Sequence, residues 1–380
     1  MSARTPRPVL IVTPWYLPSV GGVAEVAERL RLGLRREGIA THVLVTQGNR
    51  GPELVDEERS VWHFHIPSTW FGSGTIKSLL GQLVRGPIAL LRLARLIRAV
   101  EARNVIVLYP IGFSWPFLFL RRLLGIRLIT SVHGNDLERI DQHPPPLRRL
   151  QRRVLAQSDA VIACAPHLAD KAREIVGRAD LSITVIPNGV DLDRFRPAPA
   201  EHSREGEGPR LLHISNFASK KRTPDIVTAF SRASLPPTTV LTMVGDGPER
   251  APTEELARNL GLTSERVRFA GTQADVLPYF WNADAFVLAS DSEGAPLVLL
   301  ESMAAGVPWV STPWGAAADL PSGECGLAVP IGDIEALGQA LEQILRSQET
   351  RERMAQRCRQ IAEERYSIDA YIRRHVALLE

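Results

Sequence analysis

The feature that most constrains the fold is an alternation of apolar strands and amphipathic helices that occurs twice along the chain. The first run opens with the apolar segment 9–13, a loop ending in Gly21 and Gly22, a helical segment 23–37 and an apolar segment 42–46. Parallel strands joined by a crossover helix have this pattern. Further strands are expected near 62–66, 105–108, 127–132, 160–163 and 184–186. The alternation predicts a doubly wound parallel α/β sheet.

A second run of the same kind follows a segment rich in Pro, Gly and charge, 196–209, which we interpret as a linker. Strands are expected at 210–215, 239–244, 267–269, 284–289 and 308–311, with a long helix over 334–364. We therefore predict two Rossmann-like domains, 1–195 and 210–364, and a last helix at 365–380. Two such domains facing each other would leave a cleft, which is the usual place for a ligand.

Composition narrows the class of protein. Residues 1–195 hold 26 Lys and Arg against 17 Asp and Glu, whereas residues 196–380 hold 19 against 25. A basic half predicts an anionic partner: a membrane, nucleic acid or a phosphorylated substrate. Three widely spaced cysteines, Cys164, Cys325 and Cys358, indicate a reducing compartment such as the cytoplasm. The first 22 residues read as a strand and loop and not as a signal peptide, and no apolar stretch reaches the length of a membrane span.

Two carboxylates, Glu293 and Glu301, flank a predicted helix start with seven residues between them. Pro296 suits the first helical position, and Gly306 with Pro308 ends the helix. Ligands of open α/β sheets lie beyond the carboxyl ends of strands, where Glu293 falls. A carboxylate accepts two hydroxyl hydrogen bonds, which suits a sugar diol. A capped, solvated helix is an equal alternative for such a pair taken alone.

Other strand ends carry residues suited to an anion or a sugar. Gly21 and Gly22 before a helix could approach a phosphate, and the cations of 220–222 could clamp a diphosphate. The loops 133–136 and 245–248 also follow strands. The alternatives are a plain turn for the glycines and for Asp246, a solvated loop for the cations, and a structural role for His133. GxGxxG and Walker loops are absent, which argues against dinucleotide and P-loop sites. Asp191 and Asp193 form a DxD pair without a supporting ligand, so we expect no metal.

Taken together, these segments resemble the retaining GT-B glycosyltransferases of family 4. The matching strings span nearly the whole chain: SVGG (19–22), SVHGND (131–136), VIPNGVDLDRF (185–195), HISNFASKKRTPDIVTAF (213–230), MVGDGPE (243–249), RVRFAG (266–271) and SEGAPLVLLESMAAGVP (292–308). The resemblance implies the GT-B fold, with two Rossmann-like parallel-sheet domains facing a cleft and a C-terminal helix that packs on the N-terminal domain. It also implies a nucleotide-sugar donor, a UDP-sugar in our interpretation, and a reaction without a divalent metal or other cofactor.

Site roles carry over from the same resemblance. His133 matches the family histidine beside the anomeric carbon, Glu293 the carboxylate at the donor hexose, and Lys221 the lysine on the diphosphate; we assign these three to catalysis. Asn135 and Asp136 are assigned to the acceptor. The donor-binding set comprises Gly21, Gly22, Asn216, Lys220, Arg222, Gly245, Asp246, Gly271, Thr272, Gly294, Ala295, Leu297, Val298 and Glu301, of which Glu301 matches the carboxylate that holds the ribose.

Two departures concern the donor. Asn216 stands where the family usually has Arg, and Ala295-Pro296 replaces Phe-Gly, so that one backbone amide is lost at Pro296. The string HISNF…KKR resembles the N-acetylglucosaminyl malate synthases of bacillithiol biosynthesis. The acceptor therefore has two alternatives: a lipid-linked saccharide of envelope polysaccharide synthesis, or a small hydroxy acid. A sugar-nucleotide epimerase and a non-catalytic sugar-nucleotide-binding module are the other functions considered. Nucleic acid is not expected as a partner.

The basic half also suggests a membrane contact. The segment 87–103 repeats arginine at Arg92, Arg95 and Arg98 beside an apolar stripe. Such a helix could lie in an anionic bilayer interface at the inner face of the cytoplasmic membrane. A core helix with solvated arginines is an equal alternative.

Overall fold

Two parallel sheets form the protein, one in each of two units. The computed structural model describes residues 7–19, 21–46, 53–66, 76–203, 206–320 and 322–380. The first unit contains residues 1–187 together with 371–380, and the second contains 188–370. Both sheets carry helices between successive parallel strands, so the predicted doubly wound α/β architecture is confirmed.

The first unit has eight strands in its described part, in the order β3-β4-β2-β1-β5-β6-β7-β8, and only β3 runs antiparallel to its neighbour. Its strands are β1 Val9–Thr13, β2 Thr41–Val45, β3 Glu53–Asp56, β4 Val61–His63, β5 Asn104–Leu108, β6 Arg127–Val132, β7 Ala160–Ala163 and β8 Ile183–Val185. Its helices are α1 Gly22–Arg36, α2 Ile76–Ala99, α3 Trp115–Leu124, α4 Asn135–Glu138, α5 Pro145–Gln157 and α6 Pro166–Val176. The central strands β1 and β5 are buried throughout, as expected for strands covered on both faces.

The second unit has a parallel sheet in the order β11-β10-β9-β12-β13-β14. Its strands are β9 Arg210–Ile214, β10 Val240–Val244, β11 Val267–Gly271, β12 Ala285–Leu288, β13 Trp309–Ser311 and β14 Gly326–Ala328. The helices are α7 Thr223–Arg232, α8 Arg250–Asn259, α9 Leu277–Trp281, α10 Leu297–Ala304, α11 Ala316–Asp319, α12 Ile334–Arg346, α13 Gln348–Arg365 and α14 Ile368–Leu379, the last of which continues into the first unit from Tyr371. The strands β10, β9 and β12 are neighbours, so their carboxyl ends lie side by side.

The division between the units lies before Asn188 and not at the predicted residue 195. Val190 and Phe195 are buried in the core of the second unit, and Val190 forms a bridge to Ser367. The predicted linker 196–209 also belongs to the second unit, where the carbonyl of Arg196 accepts a hydrogen bond from the indole of Trp281. Composition alone could not show this, because a Pro- and Gly-rich segment can connect two domains or lie along the surface of one.

Two predicted helices differ in extent. The long helix 334–364 is two helices, because Ser347 leaves the helical conformation and its hydroxyl caps the start of α13 by accepting from the amide of Thr350. Helix α2 does not start at Pro87 but runs through it from Ile76. The apolar stripe of α2 that could have faced a bilayer instead packs in the core, where Leu93, Ala94 and Ile97 are buried. The arginines beside it are exposed, so this stripe is the core face of an ordinary helix.

None of the helices in the described residues is long and apolar enough to span a membrane.

Candidate functional site

The carboxyl edge of the second sheet brings most of the predicted donor-binding residues together. The loops after β9, β10 and β12 supply 215–222, 245–248 and 289–296, and α10 follows directly. Carboxyl ends of neighbouring parallel strands meet at one edge, which is where ligands of open α/β sheets bind. The register and the buried apolar side chains of the strands fix the sheet, and this fixes where each loop begins.

A cluster of opposite charges lies at the centre of this edge. The ammonium of Lys221 donates to Oε1 of Glu293, and Nζ of Lys220 lies 3.6 Å from Oε2 of the same carboxylate. Glu293 is 9% exposed. Burial opposes its ionisation, but Lys221 and Lys220 outweigh burial and hold the pKa of Glu293 below its usual range. The cluster therefore presents two cations and one anion that a charged ligand can rearrange.

Glu301 lies in α10 and is also 9% exposed. The helix begins at Leu297, one residue later than predicted, because Pro296 has extended backbone and serves as the N-cap. The predicted pair Glu293 and Glu301 thus stands on one loop and the helix that follows it.

Arg222 is committed to other partners. Its guanidinium donates to Asp225 and Asp291, at 2.7 Å and 3.0 Å, and it packs over the backbone of Gly332. The hydrogen bond to Asp225 is the main interaction that raises the pKa of Arg222. The side chain of Arg222 therefore braces the chain where the short 3-10 turn Ser219–Lys221 meets α7. Of the three predicted cations, the two lysines contact Glu293.

Two glycines let the loops after β9 and β10 approach each other. A Cβ on Gly245 would lie 1.8 Å from the carbonyl oxygen of Ser215, and one on Gly247 would lie 2.0 Å from that of Asn216. No side chain fits such a gap, so both positions require glycine. Asp246 closes its own turn by accepting from the amide of Gly247 and also pairs with Arg250, as the turn-forming alternative expected.

The remaining predicted donor residues lie around the same edge. Asn216 and Thr272 are exposed, Gly271 ends β11 and its carbonyl accepts from the amide of Gly245, and Gly294, Ala295, Leu297 and Val298 form the loop and first turn of α10. The residues Gly21 and Gly22 belong to the first unit and are described with it below.

Sequence reasoning missed the supports of the 289–296 loop. The side-chain amide of Asn188 donates from Nδ2 to the carbonyl of Ala295 at 2.9 Å. Gly315 lies so close to Ala295 that a Cβ on Gly315 would be 2.9 Å from the Cα of Ala295. The hydroxyl of Thr312 and the indole of Trp314 both donate to the carbonyl of Ser290. Asn188 lies in the string VIPNGVDLDRF, but nothing local indicates its partner 107 residues away.

A buried histidine supports the loop after β9 and was also missed. Nδ1 of His213 donates to the carbonyl of Val287, so its Nε2 accepts from the hydroxyl of Ser215, and that hydroxyl oxygen accepts from the amide of Phe217. Burial lowers the pKa of His213 to about 4. The imidazole is therefore neutral, and it fixes the backbone next to Asn216.

The first unit places its own candidates at the carboxyl edge of its sheet. Gly21 caps α1 in extended backbone, and a Cβ on Gly21 or Gly22 would meet no atom within 4 Å. Packing within the described residues does not require these glycines, whereas close approach of a phosphate to the backbone would.

His133 directly follows β6, and its Nε2 lies 3.0 Å from the hydroxyl of Ser131. Burial, and then the nearby His375 of α14, lower the pKa of His133 to about 4, so it is neutral at pH 7. Asp136 is fully buried, and its carboxylate accepts the amides of His133 and Gly134. Burial raises the pKa of Asp136 to about 7 despite these bonds. Asp136 therefore shapes the histidine loop from beneath, and of the two predicted acceptor residues Asn135 is the one that reaches solvent.

Two aromatic side chains at the same edge were not predicted. Trp15 follows β1 and Tyr109 follows β5, and their rings meet edge to face with centroids 5.2 Å apart. Trp15 is 38% exposed. Tyr109 has φ of 59°, a strained conformation for a residue with a side chain, and such strain collects at functional sites. An aromatic residue one or two positions after each of two neighbouring central strands is the sequence signal for them.

The DxD pair has a structural explanation. Oδ1 of Asp191 accepts the amides of Asp193 and Arg194, at 3.1 Å and 2.9 Å, as in a helical turn cap.

Comparison with known proteins identifies both halves of the chain. The family model described as "Glycosyltransferase Family 4" matches residues 20–194, and "Glycosyl transferases group 1" matches 195–361. The chain is 28% identical over 361 residues to N-acetyl-alpha-D-glucosaminyl L-malate synthase of Bacillus anthracis, covering 92% of this chain and 91% of that one.

Two further similarities are informative. The lipopolysaccharide core biosynthesis glycosyltransferase LpsE of Rhizobium meliloti is 32% identical over 224 residues, 58% of this chain and 64% of that one. The structure of Anabaena Alr3699/HepE in complex with UDP and glucose superposes with a TM-score of 0.78 at 18% identity, covering 98% and 99% of the two chains. This last likeness shows the shared fold. Since the two family models together cover residues 20–361 and the fold agrees, the chain belongs to the GT-B glycosyltransferases.

Proposed function

We propose that this glycosyltransferase moves a hexose or an N-acetylhexosamine from a UDP-sugar to an acceptor hydroxyl with retention of configuration. The observation that carries the proposal is the cluster of Lys220, Lys221 and Glu293 at the carboxyl edge of the second sheet, with Glu301 on the adjoining helix. The name of the Anabaena structure, in complex with UDP and glucose, supports the choice of donor.

The donor roles follow from charge and position. The ammonium groups of Lys220 and Lys221 suit a diphosphate, because each supplies several donors to phosphate oxygens. Glu301 can accept both hydroxyls of the ribose, and Glu293 can accept hydroxyls of the hexose once the diphosphate takes over its lysines. The open glycines Gly21 and Gly22 and the dipole of α1 suit the diphosphate or the transferred group.

The proposed chemistry relies on stabilising the leaving group. As the bond between the anomeric carbon and the diphosphate oxygen breaks, negative charge grows on the diphosphate, and fixed cations lower the energy of that state. The acceptor oxygen attacks from the face that the diphosphate leaves and passes its proton to the departing phosphate oxygen. Because His133 is neutral, it can offer an N–H or a lone pair but no positive charge. No side chain is assigned the role of nucleophile.

The reaction is proposed to need no divalent metal, because the lysines supply the positive charge that a metal ion would otherwise supply. We also propose that the protein works in the cytoplasm, where its three free cysteines stay reduced.

Two acceptors are proposed as alternatives. The name of the Bacillus anthracis relative favours a small hydroxy acid, and that of the Rhizobium meliloti relative favours a saccharide of an envelope lipid. Trp15 and Tyr109 supply an aromatic surface of the kind on which sugar rings stack, which supports the saccharide. Mass spectrometry of products from a panel of both acceptor types with UDP-glucose and UDP-N-acetylglucosamine separates the two.

Calorimetry with UDP tests the donor site. Lys221→Met and Glu301→Gln each remove a charge-assisted hydrogen bond, and we expect affinity to fall by roughly 10- to 150-fold, which corresponds to about 1.5–3 kcal/mol. Lys171→Met and Glu324→Gln are matched controls, since both residues form exposed ion pairs elsewhere. Undiminished affinity in Lys221→Met and Glu301→Gln would remove both residues from the donor site.

Product analysis tests the reaction itself. An α-linked product from an α-linked donor, read from its NMR coupling constants, agrees with retention, and a β-linked product contradicts it. Incubation of the donor without acceptor separates the other functions: an epimerised sugar indicates an epimerase, slow hydrolysis a transferase, and binding without turnover a binding module.

A further inference from the structure

A wide apolar groove with a basic rim lies on the first unit, between α2, α3 and α5. Its volume is about 1120 Å³, above the usual range of small-molecule pockets. Trp115, Leu150 and Val154 form a small buried cluster at its base. All of its described lining residues lie in these three helices, and His133 is not among them.

Large apolar side chains of the groove are open to solvent. Leu123 is 69% exposed, Leu91 60% and Phe119 54%. Exposed leucines occur singly on most proteins, but a contiguous patch that lines a concave surface indicates an interaction site. These residues are distinct from the buried stripe of α2.

The charge around the groove has one sign. Arg122, Arg149 and Arg153 line it, and all three are exposed. The sequences of α2, α3 and α5 contain eleven Lys and Arg and no Asp or Glu. Arg121, by contrast, is paired with Asp159, an acidic residue outside these helices. The groove therefore combines apolar area with a rim of exposed arginines.

We propose that the surface around this groove binds to an anionic phospholipid bilayer. Apolar tips such as Leu123 and Phe119 would enter the boundary between headgroups and acyl chains, and the arginines would extend their stems along the groove to reach lipid phosphates. Anionic headgroups complement the arginines that line the groove, and two copies of the same face would repel each other. A protein partner normally supplies about one hydrogen bond per 100–200 Å² of interface, whereas among the described residues of the lining Gln157 is the one with an uncharged amide or hydroxyl group.

Flotation of the full chain with vesicles tests this inference. We expect co-flotation with vesicles of phosphatidylcholine containing 30% phosphatidylglycerol at 0.1 M salt, weak binding at 1 M salt, where charges are screened within about 3 Å, and little binding to phosphatidylcholine alone. The triple variant Arg122→Gln, Arg149→Gln, Arg153→Gln should lower the partition coefficient by about 100-fold, at roughly 1 kcal/mol per basic residue and 1.4 kcal/mol per tenfold.

Matched variants separate the groove from net charge. The triple variant Arg36→Gln, Arg232→Gln, Arg258→Gln removes the same charge at exposed positions outside the groove and should bind as the unmodified chain does. Leu123→Gln with Phe119→Gln should weaken binding at unchanged charge. Calorimetry with UDP on each variant shows that the fold is intact, and it reports on the donor site independently of the vesicles.

Three results would overturn the inference. These are failure to float with either vesicle, equal loss in the two triple variants, and equal binding to neutral and anionic vesicles. Self-association in sedimentation that Leu123→Gln abolishes, without vesicle binding, would assign the groove to a second copy of the chain instead.

Discussion

Neutralising Glu293 provides a sharp test of the donor site. Lys221 donates to Oε1 of Glu293, and Lys220 lies 3.6 Å from Oε2. A diphosphate must take these ammonium groups from the carboxylate. We therefore expect Glu293→Gln to strengthen the binding of UDP, which competes with Glu293, and to weaken that of a UDP-sugar relative to UDP, because the hexose loses its carboxylate.

The structure sets the size of the effect. The side chains of Glu293, Lys221 and Lys220 are 11%, 12% and 20% exposed, so solvent screens the cluster only in part. Hydrogen bonds to charged groups are worth about 1.5–3 kcal/mol net. Glu293→Gln removes the carboxylate that competes with the diphosphate for the lysines, and we take the lower figure for this effect. UDP should then bind about tenfold tighter. The ratio of the UDP-sugar dissociation constant to the UDP dissociation constant should rise at least tenfold.

Stability should change in the opposite direction. Without the carboxylate, Lys220 and Lys221 lie together with no anion between them, and breaking a buried ion pair costs about 3–5 kcal/mol. Partial exposure places our expectation at the low end, about 3 kcal/mol less free energy of unfolding in urea. The loss should shrink at saturating UDP, since a ligand that binds only the folded state stabilises it.

Calorimetry with UDP and UDP-glucose on the unmodified chain and Glu293→Gln measures both affinities. Glu324→Gln removes the same charge at the other end of the sheet, ahead of β14, and should leave both affinities within threefold. If UDP binds Glu293→Gln no more tightly than it binds Glu324→Gln, the diphosphate does not compete with Glu293 for the lysines, and the assigned roles fail.

Three further predictions concern metal, pH and packing. Transfer should continue in excess chelator; turnover lost on chelation and restored by Mg²⁺ or Mn²⁺ would contradict the proposal of a metal-free reaction. Burial lowers the pKa of His213 to about 4 from 6.5, so its contribution to stability is complete above pH 6.5 and is lost as the pH falls toward 4. In urea unfolding, the contribution of His213 to the free energy of unfolding should be about 2 kcal/mol smaller at pH 5 than at pH 7. If His213→Gln leaves the pH dependence of the free energy of unfolding unchanged, the assignment is refuted. Gly33→Ala should destabilise the first unit by about 1–3 kcal/mol, because its Cβ would lie 2.1 Å from Cδ1 of Ile372; Ile372→Ala should recover much of the loss in a thermal melt, and two additive losses would show that these side chains do not meet.

The sequence alone determined the class of fold and the edge on which the donor candidates lie. Strand and helix periodicities are local, and glycines and prolines mark the breaks, so both runs of alternation could be read directly. Parallel strands all point their carboxyl ends to one edge, and this placed Lys221, Asp246 and Glu293 together without knowledge of any contact. The chemical class of the site came from the family resemblance of the strings around these residues, and the individual roles stay predictions.

Tertiary structure decided which of those side chains have partners. Arg222 is held by Asp291, 69 residues away, and Asn188 holds Ala295, 107 residues away. Burial of Asp136 beneath the histidine loop depends on the packing of several elements. The same is true of the apolar stripe of α2, which packs in the core instead of lying on the surface. The unit boundary before Asn188 was set by Val190 and Phe195 entering the second core. Local pattern cannot report such outcomes, because they depend on free energies of burial and pairing between segments that meet only after the chain has folded.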